Sequence, residues 1–134
     1  MGPNRAWIKA DGRDTSETYS VIEFALALHP VASAPHRHPD WDEAFYVLEG
    51  EVEALVGERV VRRQAGSFIL IPRGMAHRVW NCGDRPARIL AIAQPWAPEY
   101  VKEMAQAFPK NGSPDMEKLM ETYKKYGVEQ VPES

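Results

Sequence analysis

Residues 36–81 read HRHPDWDEAFYVLEGEVEALVGERVVRRQAGSFILIPRGMAHRVWN. Short apolar, β-branched and aromatic runs are separated here by turn signals, a rhythm of about 8–12 residues that predicts an all-β sandwich or barrel. The runs predict strands over Glu43–Leu48, Glu51–Val56, Arg59–Arg63, Ser67–Ile71 and Ala76–Asn81. Glu49-Gly50, Gly57-Glu58 and Pro72-Arg73-Gly74 are the turns between them. Working outward, Ala87–Gln94 adds a last strand. Upstream, Ile22, Phe24, Leu26 and Leu28 recur at every second position, the mark of a half-buried strand. Trp7 and Ile8 suit a short edge strand.

The pattern changes after Pro95. Pro98 suits the first turn of a helix, and Val101, Met104, Ala105 and Phe108 follow helical spacing. Pro109 to Ser113 is a break. Ser113 is predicted as the next N-cap, with Pro114 at the first helical position. Met116, Leu119, Met120 and Tyr123 form the expected buried face, and Gly127 the C-cap. Residues 1–97 are therefore assigned to the β domain with its N-terminal strand, and residues 98–134 to a helical tail packed on the barrel or on a dimer partner.

At 134 residues, with 44% hydrophobic and 26% charged residues, the chain suits one globular domain. A net charge of −3 argues against a nucleic-acid partner, whose phosphates demand a basic face. Cys82 is the single cysteine, so no internal disulfide forms. The first residues carry no secretory pattern and no apolar run approaches a membrane span. The expectation is a cytoplasmic protein with no membrane partner.

Three of the four histidines fall where metal chemistry wants them. His36 and His38 are two apart, so an extended backbone puts both on one face. Glu43 follows after a loop, and His77 follows the Pro72-Arg73-Gly74 turn. Three imidazoles and a carboxylate suit one divalent transition metal ion (Fe, Mn, Ni, Co, Cu or Zn) and disfavour all-oxygen cations. His29 is read as structural, and Asn81 as bonding backbone at a strand end. Cys82 has no neighbouring base that would make it a nucleophile.

These residues resemble the two motifs of the cupin superfamily. His36-Arg37-His38, four residues, Glu43, six residues and Gly50 match the first motif. Gly66, Pro72-Arg73-Gly74, His77 and Asn81 match every spacing of the second. Pro30 stands where the first motif has Gly, so that turn must differ. The tail around Tyr123–Val128 resembles those of single-domain cupins described as quercetin-dioxygenase-like. The resemblance implies a jelly-roll antiparallel β-barrel with a metal in its mouth, held by His36, His38, Glu43 and His77. It further implies Glu43 as candidate catalytic base, a small-molecule substrate and a homodimer. Phe45, Val47 and Val79, with Trp41 at the rim, are read either as substrate pocket or as plain core. The expected function is a dioxygenase-type enzyme. A redox-neutral isomerase, lyase or cyclase, or a small-ligand-binding module, would use the same residues.

Overall fold

The computed structural model of the chain describes residues 5–28, 35–108 and 113–131. His29 and Pro30, and with them the departing turn of the first motif, lie outside the described residues, as does most of the break after Phe108. The strands are β1 (Arg5–Ala10), β2 (Ser20–Leu26), β3 (His36–Arg37), β4 (Glu43–Glu49), β5 (Glu51–Val56), β6 (Arg59–Gln64), β7 (Phe68–Ile71), β8 (His77–Asn81), β9 (Ala87–Ala93) and β10 (Glu129–Gln130). They form two antiparallel sheets, in the orders β1-β2-β9-β4-β7 and β10-β3-β8-β5-β6. This is the expected all-β jelly roll, followed by two short helices, α1 (Ala97–Gln106) and α2 (Met116–Tyr126).

The strand periodicity sets the core. Along β7, Ile69 and Ile71 are buried while Phe68 and Leu70 face out. Along β9, Ala87, Ile89, Ala91 and Ala93 turn inward. Ile69, Ile71, Ala87, Ile89 and Ala91 join Leu26, Phe45, Val47, Val52 and Ala54 in the main core. Each fully buried aliphatic side chain contributes about 1.5–3 kcal/mol. The β4–β5 hairpin closes on Gly50 at φ +81°, where a Cβ would meet the Pro86 carbonyl oxygen at 2.7 Å. Only glycine satisfies both the backbone conformation and the close approach. Asn81 bonds backbone as expected, donating to the carbonyls of Leu26 and Arg85 and accepting from Gly83 N–H.

The tail folds back on the barrel. Ala97 and Val101 of α1 pack with Ile22, Phe24 and Ala93. Met104, Ala107 and Leu119 form a small core between the two helices. Three tail expectations need correction. The N-cap of α2 is Asp115, whose carboxylate accepts from Lys118 N–H, so Ser113 and Pro114 lie outside the helix. The buried face of α2 runs through Leu119 and Thr122, while Met116 and Met120 are exposed. Thr122 is buried because its hydroxyl bonds the Lys118 carbonyl, so it brings no unsatisfied polar group inward. Ala105 likewise faces out of α1. Gly127, at φ 68°, caps α2 as expected. Beyond it β10 pairs with β3, and Glu129 bonds Arg37 at 2.6 Å. No helix among the described residues is long and apolar enough to cross a membrane.

This register predicts opposite responses at two aliphatic positions. Ile89→Ala removes a side chain 2% exposed in a central strand and should cost about 2–5 kcal/mol in denaturant unfolding. Val60→Ala, on the solvent face of β6, should stay within about 0.5 kcal/mol.

Candidate metal centre

Antiparallel pairing of β3 with β8 sets His36 opposite His77. Their ring centroids are 4.5 Å apart. His38, two residues on, turns to the same side, 5.1 Å from His36 and 5.3 Å from His77. One ring nitrogen from each of the three histidines lies within 4.8 Å of the others. Glu43 enters from the first residue of β4, in the opposite sheet. Its Oε1 is 3.2 Å from His77 Nε2 and 4.0 Å from His38 Nε2. The structure thus brings together all four residues that the sequence singled out.

The local chain holds them there. The Pro72-Arg73-Gly74 turn donates Gly74 N–H to the His38 carbonyl at 2.9 Å. Asp42, next to Glu43, accepts from Arg73 N–H at 2.8 Å and pairs with the Arg73 guanidinium, which holds its carboxyl below the usual range. The loop carrying His38 to Glu43 is therefore tied at both ends to the turn that leads into His77.

The donor set fits a transition metal ion. His77 Nδ1 lies 3.0 Å from the Met75 carbonyl, which can only accept, so Nδ1 donates its N–H there. Nε2 is buried, makes no hydrogen bond and lies 3.2 Å from Glu43 Oε1. A metal ion held by both atoms would satisfy that pair. The other two imidazoles are poised for the same work. Burial pushes the His36 pKa well below that of free imidazole, with His77 and His38 adding to the effect. Burial also lowers that of His38, opposed by the Glu43 carboxylate and helped by His77. Neutral imidazole is the form that ligates.

Phe45 and Val47 lie in the hydrophobic core, with Val79 packed against it. Val47 is four residues beyond Glu43 along β4, about 13 Å deeper into the barrel. Trp41 is half-buried in the loop before Glu43. The sequence reading missed an aromatic group beside the histidines. Trp96 lies edge-on to His38 at 6.5 Å, stacks on Tyr126 at 5.1 Å and meets Tyr100 at 6.0 Å. Burial pushes the Tyr100 phenol far up, with Tyr123 and Glu43 adding to the shift. No local motif marks these residues, because their approach depends on the tail folding back.

Because His36 and His38 stay neutral in the fold, the unfolded chain takes up protons first, near pH ~6.5. Stability is therefore full above that pH and falls as the pH drops toward the lowered native values. The metal-free chain should unfold at lower denaturant at about pH 5.5 than at about pH 7.5, and His36→Phe should flatten that difference. Equal midpoints at both pH values would show that the rings are not held neutral.

Comparisons with known proteins agree with this fold. A family model described as a cupin domain matches residues 24–93. The chain is 35% identical over 63 residues to the tetracenomycin polyketide synthase protein TcmJ of Streptomyces glaucescens, covering 47% of this chain and 42% of that protein. It is 36% identical over 64 residues to polyketide synthase CurC of Streptomyces cyaneus, covering 48% and 42%. The match thus spans less than half the length of either relative. Among solved structures, the polyketide cyclase RemF from Streptomyces resistomycificus superposes with a TM-score of 0.58 at 26% identity, covering 68% of this chain and 64% of that one. With more than half of its residues matched by the family model and both sheets in place, this chain belongs to the cupin family.

Proposed function

We propose that the chain is a metal-dependent cupin enzyme that binds one divalent transition metal ion through His36, His38, His77 and Glu43 and acts on a small organic substrate. The observation that carries this reading is the buried His77 Nε2, which makes no hydrogen bond and lies 3.2 Å from Glu43 Oε1. Four protein ligands leave one or two positions open, where a bound ion would supply Lewis-acid polarisation of a substrate oxygen. Glu43 Oε1 is turned toward His77 and His38, so we assign Oε2 to accepting a substrate proton. Trp96, edge-on to His38 and nearly perpendicular to Tyr100, offers an aromatic wall beside the histidines. Phe45 and Trp41 complete the proposed pocket, with Val47 and Val79 as its apolar support deeper in the barrel.

The similarity to two polyketide synthase proteins and to a polyketide cyclase favours redox-neutral chemistry, a cyclisation or isomerisation of a polycarbonyl compound. The dioxygenase reading keeps the same residues, and its support is the imidazole-rich donor set, which suits redox-active Fe, Mn, Ni or Cu as well as Zn. Turnover of a polycarbonyl substrate that continues under nitrogen supports the first reading. Turnover that stops without oxygen, with matching oxygen uptake, supports the second. Elemental analysis of protein purified without chelator should find about one transition metal ion per chain, and His77→Ala should lose most of it. Unchanged stoichiometry in that variant would refute the ligand set.

A second copy of the chain is the proposed macromolecular partner. On the outer face of the first sheet, Tyr46 lies beside Phe68, and Ala44 lies between Leu70 and Ile92. Tyr46, Phe68, Leu70 and Ile92 are each at least 40% exposed. Isolated exposed apolar residues are ordinary, but a contiguous set is not. Together they offer on the order of 400 Å² of apolar surface, about half of the ~800 Å² per partner in a standard interface, the rest being polar rim. Sedimentation equilibrium should give a dimer, and Phe68→Asp should give a monomer with unchanged metal content. A monomeric unsubstituted chain at micromolar concentration would remove this partner.

A further inference from the structure

We propose that Gln94 is a positioning residue for the metal centre, its side-chain amide setting the His38 tautomer that presents Nε2 to the ion. The inference rests on the metal-centre reading above. Gln94 lies outside both histidine motifs, where β9 ends and α1 begins. Its main chain is pinned there: the carbonyl accepts from Ser20 Oγ at 2.8 Å and from Ala97 N–H at 3.0 Å. The side chain is almost fully buried. Its Nε2 lies 3.4 Å from His38 Nδ1, while its Oε1 is buried with no hydrogen-bond partner.

His38 divides its two ring nitrogens between two neighbours. Nε2 faces Glu43, and Nδ1 faces Gln94. A neutral imidazole carries one proton. With the amide nitrogen toward Nδ1, as in the present geometry, the proton sits on Nε2 and that atom cannot ligate. Ligation through Nε2 requires the proton on Nδ1, where a buried N–H needs an acceptor. Gln94 holds that acceptor on the same amide. A half-turn about its last side-chain torsion exchanges oxygen for nitrogen without moving the group. With its oxygen toward Nδ1, Gln94 holds the tautomer of His38 that frees Nε2, with no change of charge. The Met75 carbonyl plays the same part at His77 Nδ1. Gln94 Oε1 has no other hydrogen-bond partner to give up in that exchange.

The test uses the full chain and cobalt(II) alone as probe. Gln94→Met keeps the length and removes the acceptor. It should weaken cobalt affinity about 10–100-fold. Gln94→Glu, whose ionised carboxylate only accepts, should hold affinity within a few-fold of the unsubstituted chain or tighten it at about pH 7.5. In the zinc-loaded unsubstituted chain, imidazole 15N NMR should show His38 protonated on Nδ1 and ligated through Nε2. Cobalt affinity unchanged in Gln94→Met, or His38 ligated through Nδ1, would overturn the proposal. Should Gln94→Met fail to fold, the NMR tautomer and the Gln94→Glu affinity decide alone, and a large loss of affinity in Gln94→Glu overturns it. No cobalt uptake by the unsubstituted chain would refute the metal-centre reading and this inference together. Uptake that is insensitive to Gln94 refutes this inference alone.

Discussion

The register of β3 against β8 is the constraint on which the site depends. β3 is two residues long and places His36 opposite His77. A strand that short cannot hold a register by itself, and a slip of one residue would turn its side chains to the other face. Two neighbours hold it. β8 pairs on one side, itself aligned by its long pairing with β5, and β10 from the end of the tail pairs on the other. The Arg37–Glu129 ion pair and the Val131 N–H to the Pro35 carbonyl secure that outer edge.

Once the register is set, burial decides the chemistry of the site. Three imidazoles brought close together in a wet surface site would take up protons and repel one another. Enclosed here, His36 and His38 are driven toward the neutral form, and each ring is left with a lone pair to direct. The carboxylate comes from the opposite sheet, so the site exists only where the two sheets meet at one end of the barrel. The Asp42–Arg73 and Gly74–His38 links fasten the two connecting segments to each other. The geometry is thus held by short contacts between the two motifs.

The tail gives the site its second layer. Ala97 and Val101 seat α1 on β2 and β9, which brings Trp96 and Tyr100 beside His38 and Glu43 and holds Gln94 against the His38 ring. The family match ends at residue 93, so Gln94, Trp96, Tyr100 and Tyr126 lie beyond the matched residues.

Much of this was legible in the sequence because it is local. The strand boundaries follow from turn residues such as Gly50, Gly57 and Gly74, each at positive φ in the fold. His36 and His38 share a face because alternation along an extended chain requires it. The two-motif spacing pointed to the family and singled out His36, His38, Glu43 and His77, which the fold brings close together. Periodicity failed where several readings fit one segment. Phe68-Ile69-Leu70-Ile71 is apolar throughout, so only packing between the sheets decides that Ile69 and Ile71 go in. On α2, Met116 and Met120 match the helical period as well as Leu119 does, and the contact with α1 selected Leu119. Gln94, Trp96, Tyr100 and Tyr126 carry no sequence signal at all. They lie 56 residues or more along the chain from His38, and only the folding back of the tail onto the barrel brings them to it. The sequence by itself determined the strands, the turns and the four ligand-type residues, because each depends on neighbours close in the chain. The tertiary structure alone decided which apolar faces are buried, which ring nitrogens face one another and what encloses them, because those depend on contacts between segments that no local pattern encodes.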